Sequence, residues 1–479
     1  MNKNKSRSGQ QTLISINTRT FLQVTALLFA LLIAAVVLTY LIPRGSFGTL
    51  PDGSADYMTY ISRPDLGGIS ILRGLLAPIL VFFSSDGLTL IMLSLFLFII
   101  SASFQVMNDV GGIRVLIRAV SDRFRNRRQL LLILISFLFY SFGAFLGLFE
   151  EMLTMLPIVC ALCVMLGYDS FTGFLCCIVS CGFGFAGAIT NPFTVLLASE
   201  IIGVNPMEHI WMRLLVFAVM FLLLMLFLFR YVRNLKRNPD SSLTKEKDAQ
   251  LRAEESEIIP DGSESDSRQL LIYSVFLLVA LVLIVISSLS AVLRSYTVVL
   301  LIVYFLVFGI LAGILASGHP GAVLRSFVKG FAGALPTLVF IAFAASIKFV
   351  FDEGAIMPTI VSRINHFADG TNPFVLAATL YLIVLLLEFF ISSSTAKAIL
   401  VMGLLSVVHI GLSKPLMVLI YTFADGYTNV IFPTSPVLLI SLSMIQVDYF
   451  SWVKKSLPLF FFNFVLVLLF LLLAIVVHY

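Results

Sequence analysis

The 479-residue chain sets 31 Lys and Arg against 26 Asp and Glu, a formal net charge of +5, yet only 12% of its residues are charged and 59% are hydrophobic. Soluble domains carry roughly 25% charged residues, so these side chains cannot cover the surface of a soluble protein of this length. Lipid is the solvent for most of the chain, and a net charge this small, carried by loops, excludes nucleic acid as a partner.

A spanning helix needs about 20 apolar residues. The qualifying runs are 21–43, 86–107, 171–200, 209–230, 270–293, 297–317, 334–351, 415–446 and 456–478. The first, Phe21–Ile42, is too long for a signal-peptide core and has no small-residue cleavage site after it, so it reads as a retained anchor. Two further stretches, 129–166 and 372–410, have the length of helical hairpins but carry polar residues near their midpoints. Re-entrant or fully spanning, each returns to the side it entered.

Lys and Arg set the orientation. Lys3, Lys5, Arg7 and Arg19 precede the first run, and Arg114, Arg118, Arg123, Arg125, Arg127 and Arg128 follow the second. Residues 231–269 add seven bases, and Lys454 and Lys455 precede the last run. Alternation places all four groups in the cytoplasm once the N-terminus is there. The opposite loop 201–208 has no base, although 44–85 keeps Arg44, Arg63 and Arg73. Trp211 and Trp452 each precede a span and read as interfacial anchors; Lys348, Asp352 and Glu353 lie at a span end and are expected to snorkel to the interface. His409, near another end, carries no assigned role.

Residues 231–269 hold nine acids and seven bases with Pro239 and Pro260, the composition of a solvated linker. The chain thus divides into a cytoplasmic N-terminus (1–20), a first transmembrane half (21–230), a cytoplasmic charged linker (231–269) and a second transmembrane half (270–479).

The halves repeat each other. Ser103–Phe124 aligns with Ser346–Phe367 at an offset of 243, with identities at Ser103/Ser346, Asp109/Asp352, Gly111/Gly354, Ile113/Ile356, Ile117/Ile360 and Phe124/Phe367. At an offset of 244, Gly167 meets Gly411, Gly182 meets Gly426, Thr190 meets Thr434 and Pro192 meets Pro436. The run 86–107 enters from outside and its mate 334–351 from inside, so the repeat is inverted, the construction of alternating-access carriers. The expected fold is an all-α polytopic membrane protein: an inverted-repeat transporter with two helical hairpins (129–166, 372–410) and two broken transmembrane helices (171–200, 415–446).

Polar chemistry gathers at four matching interruptions. One hairpin tip carries Glu150 and Glu151, the other Ser392, Ser393, Ser394 and Thr395. The broken spans carry Thr190-Asn191-Pro192 and Asp425…Asn429 followed by Thr434-Ser435-Pro436. Proline in a span removes a backbone donor, and such a break survives in lipid only where protein or a wet cavity satisfies the freed groups. Ser, Thr and Asn there cap new helix starts whose N–H groups attract anions, while unwound carbonyls near Asn191 or Ser435 can hold Na⁺. Adjacent on a helix, Glu150 and Glu151 point about 100° apart, so one faces a substrate while the other takes a proton or pairs elsewhere. Glu388 and Lys397 straddle the second tip and with Asp425 form a candidate charge network, structural or ligand-binding.

The strings FEEMLTMLP, GYDSFTG and GFGFAGAITNPFTVLLA, with SSSTAKAILVM and FADGYTNVIFPTSPVLLISL, resemble the two signatures of YfcC-type carriers in the anaerobic four-carbon dicarboxylate carrier (DcuC-like) family of the ion transporter superfamily. The resemblance runs from the first span to the last. It implies a scaffold and a transport domain, opposed hairpins, a homodimer and elevator-like movement, with Glu150, Glu151, Asn191, Ser393, Ser394, Asp425, Asn429 and Ser435 lining the site. YfcC-type members bear the label of basic amino-acid antiporters, and relatives carry dicarboxylates. Two departures stand out: the second tip reads Ser-Ser-Ser-Thr in place of a glycine-richer turn, and Gly403 replaces a proline.

No phosphate loop, H-E-x-x-H or G-x-S-x-G motif occurs. Cys160, Cys163, Cys176, Cys177 and Cys181 all fall in apolar runs, and the single C-x-x-C lacks the second pair or histidine of a zinc site. The reading is a secondary transporter, not an enzyme, in the cytoplasmic membrane. It needs no cofactor beyond Na⁺ or H⁺ coupling and moves a small carboxylate-bearing solute such as an amino acid. The alternative is a sodium- or proton-coupled dicarboxylate carrier; a passive channel is disfavoured by the inverted breaks.

Overall fold

The computed structural model describes residues 18–49, 55–63, 67–124, 126–256, 264–294, 296–356, 358–359, 362, 372–390, 397–398, 400–402, 405 and 412–479. The helices are α1 (Thr18–Leu41), α2 (Gly87–Asp109), α3 (Gly112–Arg123), α4 (Arg128–Ser141), α5 (Leu156–Met165), α6 (Ser170–Phe174), α7 (Ser180–Ala186), α8 (Leu197–Ile202), α9 (Ile210–Arg237) and α10 (Lys245–Ser256). They continue as α11 (Glu264–Leu289), α12 (Thr297–Ser317), α13 (Pro320–Ala334), α14 (Pro336–Glu353), α15 (Pro373–Phe390), α16 (Lys414–Thr428), α17 (Pro436–Met444) and α18 (Tyr449–Val476), with single-turn pieces between some of them. Among the described residues, eight helical stretches are long and apolar enough to cross a bilayer, α13 and α14 counting as one. The chain is a mostly helical, multi-pass membrane protein.

Helix starts follow capping chemistry. Asp169 accepts from Thr172 N (2.8 Å) at α6, Ser413 from Leu416 N (3.3 Å) at α16, Ser435 from Leu438 N (3.5 Å) at α17, and Asp448 from Ser451 N (2.9 Å) at α18. Proline stands at the first turn of both α16 and α17. The two halves interlock: α1 packs on α14, α12 and α13 pack on α2, and α7 packs on α16.

An all-α chain was the expectation, and two strands correct it. β1 (Arg44–Thr49) and β2 (Ala55–Arg63) form an antiparallel hairpin with Phe47 opposite Tyr60. They lie between apolar runs, where Tyr57, Thr59 and Ile61 suit a pleated strand. The hairpin ties the halves together: Gly45 N donates to Ala355 O (2.9 Å), Tyr60 Oη pairs with Thr359 Oγ1 (2.7 Å), and Thr359 Oγ1 donates to Pro43 O (2.7 Å). Arg73 meets Glu353 at 3.0 Å, and Lys348 pairs with Asp86 and reaches Asp352 at 3.9 Å, so Lys348 is held by acids of both halves. Trp452 is no interfacial anchor. It is fully buried against Phe174 and Phe460 and donates Nε1–H to Val430 O (2.8 Å).

The charged segment 231–269 also departs from a solvated linker. Helix α9 continues through Arg237, and α10 seats on α5. Asp248, 2% exposed, accepts from Ser170 N (3.1 Å), Ser170 Oγ (2.5 Å) and Thr244 Oγ1 (2.6 Å). Asp169 accepts from Ser242 Oγ (2.8 Å) and Tyr231 Oη (2.6 Å), Arg252 donates to Tyr168 O (3.0 Å), and Lys247 donates to Met444 O. One strap thereby holds the start of α6 and the end of α17. Composition averages over the segment and hides an acid, Asp248, that finds buried donors.

Asp248→Ala leaves Ser170 N–H buried without its acceptor, a loss of about 1–3 kcal/mol. The expected result is faster amide exchange in α10 with exchange in α7 unchanged. Burial pushes the Asp248 carboxyl above its ordinary range, against the donors that favour its ionised form. A folded value above the unfolded one makes its contribution fullest below the unfolded pKa and smaller as pH rises through the folded value. Strap protection is therefore expected to weaken as pH rises through that window in wild type and not in Asp248→Ala.

Candidate functional site

The first broken helix runs through α6, a wide π turn at Leu175–Val179 and α7, then stops at Gly187. A Cβ on Gly187 would sit 2.1 Å from Tyr140 Oη, so only glycine lets α7 end against α4. The freed backbone is satisfied by the first hairpin: Ala144 O accepts from Ile189 N (3.0 Å) and Thr190 N (3.3 Å), and Thr190 Oγ1 donates to Phe145 O (3.3 Å). Asn191, fully buried, donates Nδ2–H to Gly143 O (2.9 Å) while its Oδ1 accepts from Phe193 N (2.9 Å) and Thr194 N (3.2 Å). Asn191 is thus the cap and the strut of the break, its carbonyl oxygen spent on two donors.

The hairpin turns at Gly147, whose φ of 68° lies in the left-handed region. After it Glu150 and Glu151 stand on a 3₁₀ turn, Glu150–Thr154. Their surroundings differ. Glu151 is 7% exposed and its Oε2 accepts from Phe149 N (3.2 Å), whereas Glu150 is exposed and lies within Coulombic reach of Asp425 in the other half.

The second break spans 429–435. Asn429 donates Nδ2–H to Asp425 O (3.0 Å), Thr434 and Ser435 are buried, and Ser435 caps α17. The two broken helices cross at very short range. A Cβ on Gly426 would meet Ala186 Cα at 2.2 Å, and one on Gly182 would meet Val430 Cγ1 at 2.4 Å. Ala186 lies about 24 Å along its helices from Ser170, and Gly426 about 18 Å from Lys414, at 1.5 Å per residue. The crossing therefore lies well inside both broken helices, several turns from their starts.

Beside it lies a sealed charge cluster. Lys397 Nζ donates to Asp425 Oδ1 (2.6 Å) and to Glu388 Oε2, with all three side chains at most 1% exposed. Thr428 Oγ1 lies 3.4 Å from Glu388 Oε2, and Tyr381 and Tyr427 pair through their hydroxyls at 2.7 Å. Ser392, Ser393, Ser394 and Thr395, with Gly403, His409 and Gly411, lie outside the described residues.

Several polar groups here escape sequence reasoning. Both amide atoms of Asn463 and the hydroxyl of Thr194 are buried without a partner among the described residues. Asn463 had a legible signal, being the one amide in the run 456–478. The tyrosine pair had none, because its members lie 46 residues apart on separate helices.

Comparison with known proteins places the sequence in a family. The chain is 26% identical over 379 residues to an Escherichia coli K12 protein named "Putative basic amino acid antiporter YfcC", covering 75% of this chain and 72% of that one. It is 22% identical over 476 residues to an uncharacterized protein of Haemophilus influenzae, covering 90% and 92%. Among solved structures, the Alcanivorax borkumensis YdaH transporter, 13% identical, aligns over 95% of this chain and 99% of its own with a TM-score of 0.46. The sequence profile of the C4-dicarboxylate anaerobic carriers, DcuC, matches residues 21–476. The chain therefore belongs to the DcuC family of C4-dicarboxylate anaerobic carriers, and is a transporter rather than an enzyme.

Proposed function

We propose that this secondary transporter works by alternating access between two inverted halves and moves a small solute bearing both a carboxylate and an amine, an amino acid. Its setting is the cytoplasmic membrane with the N-terminus inside. The packing of the broken helices supports the inverted repeat. Gly182 with Val430, and Ala186 with Gly426, are one contact seen twice, because an offset of 244 converts each pair into the other. That is the signature of a local two-fold axis.

The observation that carries the amino-acid reading is the accessible carboxylate of Glu150, facing a neighbourhood already rich in acid. Such a site attracts an ammonium or guanidinium and repels a second carboxylate. The solute's own carboxylate then falls to backbone N–H groups at the helix starts after the breaks. The name of the Escherichia coli relative agrees with a cationic amino acid, and the family's name with a dicarboxylate. A dicarboxylate fits only if a cation such as Na⁺ accompanies it to Glu150.

Counterflow in proteoliposomes with arginine, ornithine, neutral amino acids and succinate separates the two. Basic amino acids are expected to exchange without Na⁺. Glu150→Gln is expected to cut that exchange roughly 10–150-fold, the loss of a hydrogen bond to a charged group at about 1.5–3 kcal/mol, with Glu151→Gln acting instead through the tip geometry. Succinate exchange that requires Na⁺ would overturn the amino-acid reading.

A further inference from the structure

The charge cluster beside the crossing does not balance. Asp425 and Glu388 bring two carboxylates and Lys397 a single ammonium, all shut away from solvent. Lys397 Nζ serves one oxygen of each acid. The hydroxyl hydrogen of Thr428 is shared among Glu388 Oε2 (3.4 Å), Ala424 O (3.1 Å) and Asp425 O (3.2 Å), so it adds little to Glu388. Glu388 Oε1 is buried with no hydrogen-bond partner among the described residues. Glu388 itself is 3% exposed.

Among the described residues, the surrounding groups do not supply the missing charge. From α16 Tyr421, Asp425 and Tyr427 face Glu388; from α15 Tyr381 adds only its hydroxyl to Tyr427; Glu150 approaches Asp425 from the first half and brings more negative charge. Among the described residues, Lys397 is the one cation paired with Glu388. A surplus buried carboxylate with an unserved oxygen is strongly disfavoured, and a proton on that oxygen removes the surplus.

We propose that Glu388 Oε1 binds an exchangeable proton, making Glu388–Lys397–Asp425 a proton site coupled to the neighbouring solute site through Glu150 and Asp425. An O–H bond forms at Oε1 as hydronium on one side of the membrane gives up its proton. The same bond breaks to water on the other side, while Lys397 stays protonated throughout and no electrons move. A solute cation at Glu150 raises the positive potential beside Asp425 and favours release of that proton, which makes the exchange an antiport. The inference rests on the carrier reading above.

The test uses the full chain in liposomes with a pH-sensitive dye inside. Wild type is expected to accumulate its solute against a gradient when a pH difference is imposed, with dye-reported proton movement opposite to the solute. Glu388→Gln, the neutral isostere of the protonated acid, is expected to lose pH-driven accumulation altogether while saturable counterflow remains measurable at a raised half-saturation, with its melting temperature in detergent unchanged. Glu388→Asp should retain part of the drive. Accumulation in Glu388→Gln equal to wild type, or wild-type accumulation that follows Na⁺ and ignores pH, would overturn the proton site. So would a large drop in the melting temperature of Glu388→Gln, since the ionised pair is then structural. Failure of wild type to show saturable counterflow with any tested solute would sink the carrier reading instead, a result distinct from counterflow without proton movement.

Discussion

Lys397→Met is expected to destabilise the protein by about 3–5 kcal/mol, the usual result of removing one partner from a buried ion pair. Methionine keeps the length and most of the volume of the lysine stem, so packing is nearly preserved. What is lost is the ammonium that bridges Asp425 and Glu388 across otherwise separate segments. A fall in melting temperature in detergent, with loss of exchange, checks this. Lys397→Arg is no remedy, because a planar fork cannot occupy the place of a compact point charge at full burial. The double variant Lys397→Met, Asp425→Asn should recover part of the loss, since the carboxylate left without its ammonium is neutralised and effects within one network are not additive. A Lys397→Met protein as stable as wild type would mean the bridge contributes nothing.

Gly426→Ala is the second large effect. The new methyl would lie 2.2 Å from Ala186 Cα and N, atoms of a helix backbone with nowhere to move except bodily. Overpacking of this kind costs about 1–3 kcal/mol, and here it also pushes apart the two breaks that frame the site. Gly182→Ala is the informative control. Its methyl meets the side chain of Val430 at 2.4 Å rather than backbone, and a side chain can rotate away. Exchange is therefore expected to fall at least tenfold in Gly426→Ala and only a few-fold in Gly182→Ala. Equal effects would place the tight point of the crossing elsewhere.

Much of the fold is legible in the residues, for stateable reasons. Apolar runs with sharp polar ends map directly onto helices: 297–317 is both the run and α12. Asn-Pro and Ser-Pro announce helix restarts, and both Asn191 and Ser435 are caps. The hairpin at 44–63 is less legible, because a short pleat between spans leaves no mark on a hydropathy reading. The strap at 245–256 is invisible to composition, since Asp248 looks like any of the other eight acids of 231–269 until Ser170 is seen to donate to it. Within the site, the association of Glu388 with Lys397 is suggested by their nine-residue spacing. The bridging of that pair to Asp425 depends on how α15 and α16 pack, which no local spacing encodes.

In the proposed mechanism the two breaks enclose a polar chamber opened in turn to each side of the membrane. Thr190, partly exposed at the first break, is the place to ask. With the five native thiols buried and silent, a Thr190→Cys protein should react with a membrane-impermeant thiol reagent in both right-side-out and inside-out vesicles. Saturating transported solute on the reagent's side should slow both reactions. Reaction from one side only under every gradient and solute condition, or from neither, would contradict alternating access at this site.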